Sequence, residues 1–257
     1  MRAILMYHSI DDSGSAISVP ASVFARHVKW LRSGHVRVTS IPELLALPPE
    51  ADAVAITFDD GFCNFAVDAA PLLKELPVTL FVVTDHVGRS NEWGGRQARG
   101  IPTLPLLDWP ALSRLAESGV TLGSQSRTHR DLATISPEAI DDELAGGAEV
   151  LQRETGVAPE LFAYPYGSVT PTAVAAVAAR FRWACTTQLR TVGVHERMAE
   201  LPRIDMYYFR QPGQLESWGT ARFHAYLGAR RLLRGSRRLA QRAATRLATF
   251  STVESRT

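Results

Sequence analysis

Short apolar runs recur along the chain with helical patterns between them, and most of the runs are apolar at odd and even positions alike. They are RAILMYH (2–8), HVRVTS (35–40), AVAITF (53–58), VTLFVV (78–83), GVTLGS (119–124), LFAYP (161–165) and WACTT (183–187). A strand that is apolar on one face only can leave the other in water, whereas a strand apolar on both must be covered on both. The pattern therefore calls for an α/β protein whose mostly parallel sheet lies under helices or closes on itself as a barrel. Helical patterns near 21–33, 64–75, 108–118, 136–155 and 171–180 supply the cover. Their starts are marked by Pro20-Ala21-Ser22, Asp108-Trp109-Pro110, Ser136-Pro137-Glu138 and Thr170-Pro171, with a short polar side chain or a proline in the opening turn.

Composition adds few constraints. With 257 residues, 46% apolar and 21% charged, the chain can bury a sizeable core. A net charge of +2 gives no reason to expect a nucleic-acid partner. The opening MRAILMYHSIDDSG turns polar by His8, too soon for a signal-peptide core, and no apolar stretch is long enough to span a bilayer. A cytoplasmic protein is expected, with Cys63 and Cys185 as thiols rather than a bridge. Residues 88–107, rich in Gly, Pro and polar side chains, form a long insertion of the kind that often carries function.

Chemistry concentrates where strands end. AVAITFDDGF (53–62) runs a buried strand into two acids and a glycine. Inside a regular strand Asp59 and Asp60 would face opposite ways, but on a turn after Phe58 both can converge at the strand's carboxyl end, where α/β folds keep their sites. The bland alternative is a solvated Asp-Asp-Gly turn. GSQSRTHRDL (123–132) follows another strand, with Gln125 and His129 four apart. It reads as a metal site missing one imidazole, a site using an amide oxygen, or a polar loop. A catalytic metal typically takes three protein ligands and leaves one position open. LFAYPYGS (161–168) ends in a Pro165-Tyr166-Gly167 turn that can aim a backbone N–H into a cleft.

In this order the three stretches resemble the polysaccharide deacetylases, carbohydrate esterase family 4. Thr57 to Gly61 is similar to that family's TFDDG motif, Gln125 to His129 stands where it has H-(S/T)-x-x-H, and Phe162 to Gly167 where it has R-x-P-x-G. ILMYHSI, PLLKELPVTLFVV and LPRI also resemble the family, over about residues 1–210. The resemblance implies a deformed (β/α) barrel, with Asp59 as general base and Asp60 and His129 as ligands of a divalent metal, most often zinc. It further implies an attack by metal-bound water on an N-acetyl carbonyl, with the N–H of Tyr166 sharing the oxyanion.

Three positions depart from the family pattern. Gln125 replaces the first His ligand, Ala163 stands where an Arg often pairs with the catalytic Asp, and no late Leu-x-His supplies a general acid. Arg203 of LPRI is a candidate partner for Asp59, and His8 a candidate proton donor or, equally, a satisfied loop residue. Gln125 is expected beside the metal, its amide oxygen a weak third ligand.

From Gly228 to Phe250 the chain carries no acid. On a helix its Leu and Ala residues share one face while Arg230, Arg231, Arg234, Arg237, Arg238, Arg242 and Arg246 take the other. A basic amphipathic helix over 229–250 would lie on an anionic membrane or pack with a solvated basic face. The expected division is a catalytic domain over 1–220 and a basic C-terminal helix and tail over 221–257. The expected activity is metal-dependent N-deacetylation of an amino-sugar glycan or lipid-linked saccharide. The alternatives are a non-catalytic glycan- or partner-binding relative, and a glycosidase using Asp59 and Asp60, whose adjacency suits that mechanism poorly.

Overall fold

The computed structural model describes residues 1–235, which divide into two compact units, Met1–Glu216 and a second beginning at Ser217. The first unit is built on β1 (Arg2–Tyr7), β2 (Ser9–Ile10), β3 (Ser18–Val19), α1 (Ala21–Leu31), β4 (Arg37–Val38), α2 (Ile41–Ala46) and β5 (Ala53–Phe58). It continues through α3 (Ala70–Leu73), β6 (Val78–Val82), α4 (Trp109–Glu117), β7 (Thr121–Ser124) and α5 (Pro137–Thr155). It ends with β8 (Leu161–Ala163), α6 (Pro171–Arg180), β9 (Trp183–Cys185) and β10 (Ile204–Asp205).

The sheet runs β10-β1-β5-β6-β7-β8-β9, with β4 beside the start of β5 and every pairing parallel. Its two edges meet through one segment. Leu201 donates to Ala184 O and accepts from Thr186 N beside β9, while Ile204 and Asp205 pair with Leu5 and Met6 of β1. This curling into a barrel is why the strands are apolar on both faces. One set of side chains, including Ile4, Ala53, Ala55, Phe81, Leu161, Ala163 and Cys185, forms one buried cluster. Their alternates Phe162 and Ala184 pack outward against Ile140 and Leu144 of α5 and Ala173 and Val177 of α6.

The anticipated strands and helices are present with shifted ends; HVRVTS contributes only Arg37–Val38. Helix α2 was not anticipated from periodicity, although Ser40 and Glu43 close a reciprocal capping box at its start. The 64–75 pattern splits into a π-helical turn, Phe65–Ala69, and the short α3. Pro71 has no N–H to continue the regular ladder there. Strand β10 is too short to leave a periodic signal.

In the second unit a helix occupies 221–235, with Trp218 and Phe223 ring centroids 5.2 Å apart. Most of the stretch expected to contact a membrane lies at 236–250, outside the described residues. No helix among the described residues is long and apolar enough to cross a membrane.

His27 of α1 ties the barrel together beneath the site. Its Nε2 faces Phe209 O at 2.9 Å, and since a carbonyl only accepts, Nε2 carries the proton. Nδ1 then accepts from the Tyr7 hydroxyl at 3.1 Å. The neutral ring is satisfied at both nitrogens, and burial, with Arg26 nearby, pushes its pKa from 6.5 down to about 4 against the opposing pull of the Phe209 carbonyl. The unfolded chain therefore takes up this proton near 6.5 and the folded chain only near 4. Stability is complete above the first value and falls as pH drops toward the second, by about 3 kcal/mol in all. Urea unfolding at pH 7 and pH 4.5 should show this loss in the native protein and a shallower one in His27→Gln, whose amide can make both bonds without titrating. Equal losses in the two proteins would remove His27 from this role.

Candidate active site

The carboxyl ends of β1, β5, β7 and β8, together with Thr187 just beyond β9, converge on one pocket. The backbone pairing of β5 with β1 reaches Asp59, whose N–H donates to Tyr7 O. The chain then turns through two left-handed residues, Asp60 at φ 73° and Gly61 at φ 77°. That reversal is what brings consecutive carboxylates to the same strand end. Asp60 is one of five non-glycine residues with positive φ among the described residues, and three of the others, Ser126, His129 and Tyr166, lie on neighbouring strand ends. Such backbone conformations persist only where surrounding contacts hold them, and they tend to collect at functional sites.

Asp59 is buried against Arg203, which is itself 0% exposed. The guanidinium donates from Nη1 to Asp59 Oδ1 at 2.6 Å and from Nη2 to Oδ2 at 2.7 Å. It also donates from Nη1 to Thr57 Oγ1 and from Nε to Thr186 O, so its position is fixed from β5 and from the chain beyond β9. His8 stands on the other flank of Asp59, its Nε2 3.8 Å from Oδ2. Arg203 thus takes the pairing place that Ala163 leaves empty.

The loop after β7 is pinned from below by α5. The buried carboxylate of Glu143 accepts from the N–H groups of Arg127 and Thr128 and from the Thr128 hydroxyl. Ser126 Oγ accepts from the N–H of His129. These bonds swing His129 back over the strand end, where its ring lies between two aromatics. Trp93 is stacked at 4.3 Å and 28°, and Tyr166 stands edge-on at 4.7 Å and 65°. Tyr166 is held by the turn at Gly167, where a Cβ would meet Thr187 Oγ1 at 2.0 Å; only glycine fits.

Gln125 lies at the centre. Its Oε1 accepts from the backbone N–H of Asp60 at 2.8 Å. A backbone N–H can only donate, so the amide's orientation is determined, and the NH2 group is the part that faces the ionisable side chains. Nε2 donates to Asp60 Oδ1 at 2.9 Å and stands 3.3 Å from His129 Nε2. Asp60 and His129 are 3.5 Å apart. Burial acts to raise the Asp60 carboxyl, but the hydrogen bonds and charge from His129, His8 and Gln125 together hold it below the ordinary carboxylate value.

Two of these side chains are placed as ligands of one ion would be: a tetrahedral zinc about 2.1 Å from each donor separates donors by roughly 3.4 Å. The expected third ligand is different. Gln125 turns hydrogens, not a lone pair, toward Asp60 and His129, because its oxygen is engaged by the Asp60 backbone. His129 Nδ1 is also buried with no hydrogen-bond partner in the protein, whereas a metal-bound imidazole usually gives that second N–H to a carboxylate, carbonyl or water. The residues present do not fit a three-ligand divalent-metal centre in this arrangement, and the expectation of an amide-oxygen ligand is corrected accordingly. No group of three or more His, Cys, Asp or Glu suited to a metal occurs among the described residues.

A cavity of about 220 Å³ opens onto His8, Asp59, Asp60, Gln125, His129 and Tyr166, and the 88–107 insertion roofs it with Asn91, Trp93, Ala98 and Ile101. Asn91 staples the insertion by donating to Pro102 O and accepting from Leu104 N–H. Outside lies a groove of about 750 Å³ that shares Trp93, His129 and Tyr166 and adds Asp85, Arg89 and Arg130. Sequence reasoning singled out the insertion but not Trp93, and it missed Glu143, which looks like any acid in an amphipathic helix.

A parallel barrel that gathers paired acids, a histidine and a proline-aromatic-glycine turn at the carboxyl ends of its strands places them where enzymes of this architecture keep their sites. Comparison narrows the class. Residues 46–181 match the family model described as polysaccharide deacetylase, and the chain belongs to that family. It is 27% identical over 209 residues to the Bacillus subtilis protein YxkH, covering 78% of this chain and 70% of that one. It is 26% identical over 165 residues to poly-beta-1,6-N-acetyl-D-glucosamine N-deacetylase of Staphylococcus aureus, covering 58% of this chain and 54% of that enzyme. The chain thus spans about half the length of the staphylococcal relatives. Among solved structures, IcaB from Ammonifex degensii superposes with a TM-score of 0.67 at 23% identity, over 88% of this chain and 96% of that one. A polysaccharide deacetylase from Bacillus cereus gives 0.66 at 23%, over 79% and 64%. These likenesses show the deformed (β/α) barrel.

The Asp59–Arg203 pair can be tested by itself. Arg203→Ala should destabilise the protein by about 3–5 kcal/mol in urea unfolding, because it leaves a carboxylate buried without its counter-charge. Arg203→Lys, which keeps the charge but not the two-pronged bond, should lose less. Equal losses would mean that the charge and side-chain length which lysine keeps contribute nothing without the two-pronged bond.

Proposed function

We propose that the protein is a saccharide N-deacetylase that hydrolyses the acetamido group of an N-acetylated amino sugar within a glycan. The observation that carries this reading is a buried carboxylate, Asp59, clamped by Arg203 at the floor of a cavity with an exposed aromatic, Tyr166, at its rim. Family membership supports the same reaction class.

In this reading Asp59 takes a proton from water as the water oxygen bonds to the acetyl carbon. Arg203 fixes the direction of the carboxylate. The N–H at Tyr166 is the donor for the developing oxyanion. Collapse breaks the C–N bond, and a proton held at His8 or Asp59 passes to the departing nitrogen, giving acetate and a free amine. Trp93 and Tyr166 offer apolar ring faces to the sugar, and the outer groove gives neighbouring residues of a chain somewhere to lie. The staphylococcal relatives are named for a β-1,6-linked N-acetylglucosamine polymer, which makes oligomers of that type the first substrates to try. The lipid-linked intermediate expected from the sequence gains no observation of its own.

A second reading, recognition of acetamido sugars without cleavage, is favoured by one observation: the Gln125 amide bridges Asp60 and His129 where the family resemblance implied a metal. Mass spectrometry of N-acetylglucosamine oligomers incubated with the protein, with and without added divalent metals, separates the two. Loss of acetyl groups is expected from the native protein. In Asp59→Asn the rate should fall by at least about 100-fold, with the folded fraction checked by circular dichroism because Arg203 loses its counter-charge. Oligomers that bind but keep every acetyl group under all conditions would replace hydrolysis with recognition.

A further inference from the structure

We infer that the carboxamide of Gln125 stands in for a cation between Asp60 and His129, so that the resting site is closed to divalent metals by an internal hydrogen-bond donor. Three observations carry this. The amide is 2% exposed and engaged at both ends: its oxygen by the Asp60 N–H, its nitrogen by the Asp60 carboxylate and the neighbouring imidazole nitrogen. Its orientation cannot be reversed at no cost, because rotation would set NH2 against the Asp60 N–H, donor against donor, while the carboxylate lost its own donor. The second nitrogen of His129 lacks the protein acceptor that ordinarily steadies a metal-bound ring, and the ring is instead held between Trp93 and Tyr166.

The amide does part of what a cation would do. It gives the Asp60 carboxylate an N–H and stands 3.3 Å from the His129 imidazole nitrogen, packed between the two side chains. A neutral donor does this without supplying the charge that acidifies a bound water. The site therefore has the shape of a metal centre without its vacancy. The inference concerns occupancy and is independent of whether the protein turns over a glycan.

The two possible roles of Gln125 predict opposite results on truncation. If its oxygen were a ligand, Gln125→Ala would weaken metal binding. If the amide closes the site, Gln125→Ala removes the barrier and leaves the two donors, so zinc should bind as well as or better than to the native protein. Competitive titration of zinc against a chromophoric chelator, using the full chain with His129→Ala as background, measures this directly. We expect the native protein to stay at background, Gln125→Ala to equal or exceed it, and Gln125→His to bind at least 100-fold more tightly than native. Native affinity within a few-fold of Gln125→His, or a loss of zinc in Gln125→Ala, would overturn the inference. Should Gln125→Ala fail to fold, NMR of the native protein serves instead. The Gln125 side-chain NH2 resonances should be unmoved by equimolar zinc, and their displacement by zinc would count against the inference.

Discussion

The bidentate pair between Arg203 and Asp59 is the interaction on which the rest of the site depends. Both partners are buried, and each lies where the barrel is held together: Asp59 at the end of central strand β5, and Arg203 on the segment that joins β9 to β1. Barrel closure brings a cation to the acid, and the pair in turn keeps that closing segment in register. Desolvating two charges is costly and is offset only when geometry is good and further hydrogen bonds satisfy what remains. Thr57 and the Thr186 carbonyl provide those bonds. A carboxylate fixed in this way is preorganised, so it would lose little entropy in the base role proposed for it.

Around that fixed point the protein assembles loops in conformations that free chains avoid. Asp60, Ser126, His129 and Tyr166 all have left-handed φ, and each is held by a specific partner outside its own turn: the Gln125 oxygen for Asp60, the Glu143-anchored loop for Ser126 and His129, the Gly167–Thr187 contact for Tyr166. The strain is spread over several strand ends and repaid by packing. The same loops bring a flat aromatic face, Tyr166, to the mouth of a polar-floored cavity, a combination suited to a sugar bearing an amide.

Much of this could be read from the amino acids. Apolar runs without alternation implied a covered parallel sheet, because no other arrangement hides both faces of a strand such as AVAITF. The turn after Phe58 was legible from Gly61, and Pro165-Tyr166-Gly167 announced itself likewise. Arg203 was reachable as a candidate only through the LPRI stretch and His8 because it ends a strand, and the pairing between Asp59 and a residue on the closing segment is a fact of barrel closure that local pattern does not encode. Glu143 was illegible for a related reason: an acid on a helix face looks solvated until the loop it anchors is seen beneath it. The orientation of Gln125 was beyond sequence altogether. Which end of an amide faces a carboxylate depends on a single backbone N–H, that of Asp60, and on the left-handed turn that aims it.

Gln125 is therefore where chemistry and architecture are most finely balanced, since the frame around it is that of a deacetylase barrel and the amide changes what the frame can hold. The most direct measurement is a high-resolution crystal structure of the native protein grown at neutral pH with millimolar zinc. The account predicts Arg203 bonded through both nitrogens to Asp59, and the Gln125 nitrogen between Asp60 and His129 with its oxygen on the Asp60 N–H. An ion bonded to Asp60 and His129, with the Gln125 oxygen turned toward it, would contradict the account.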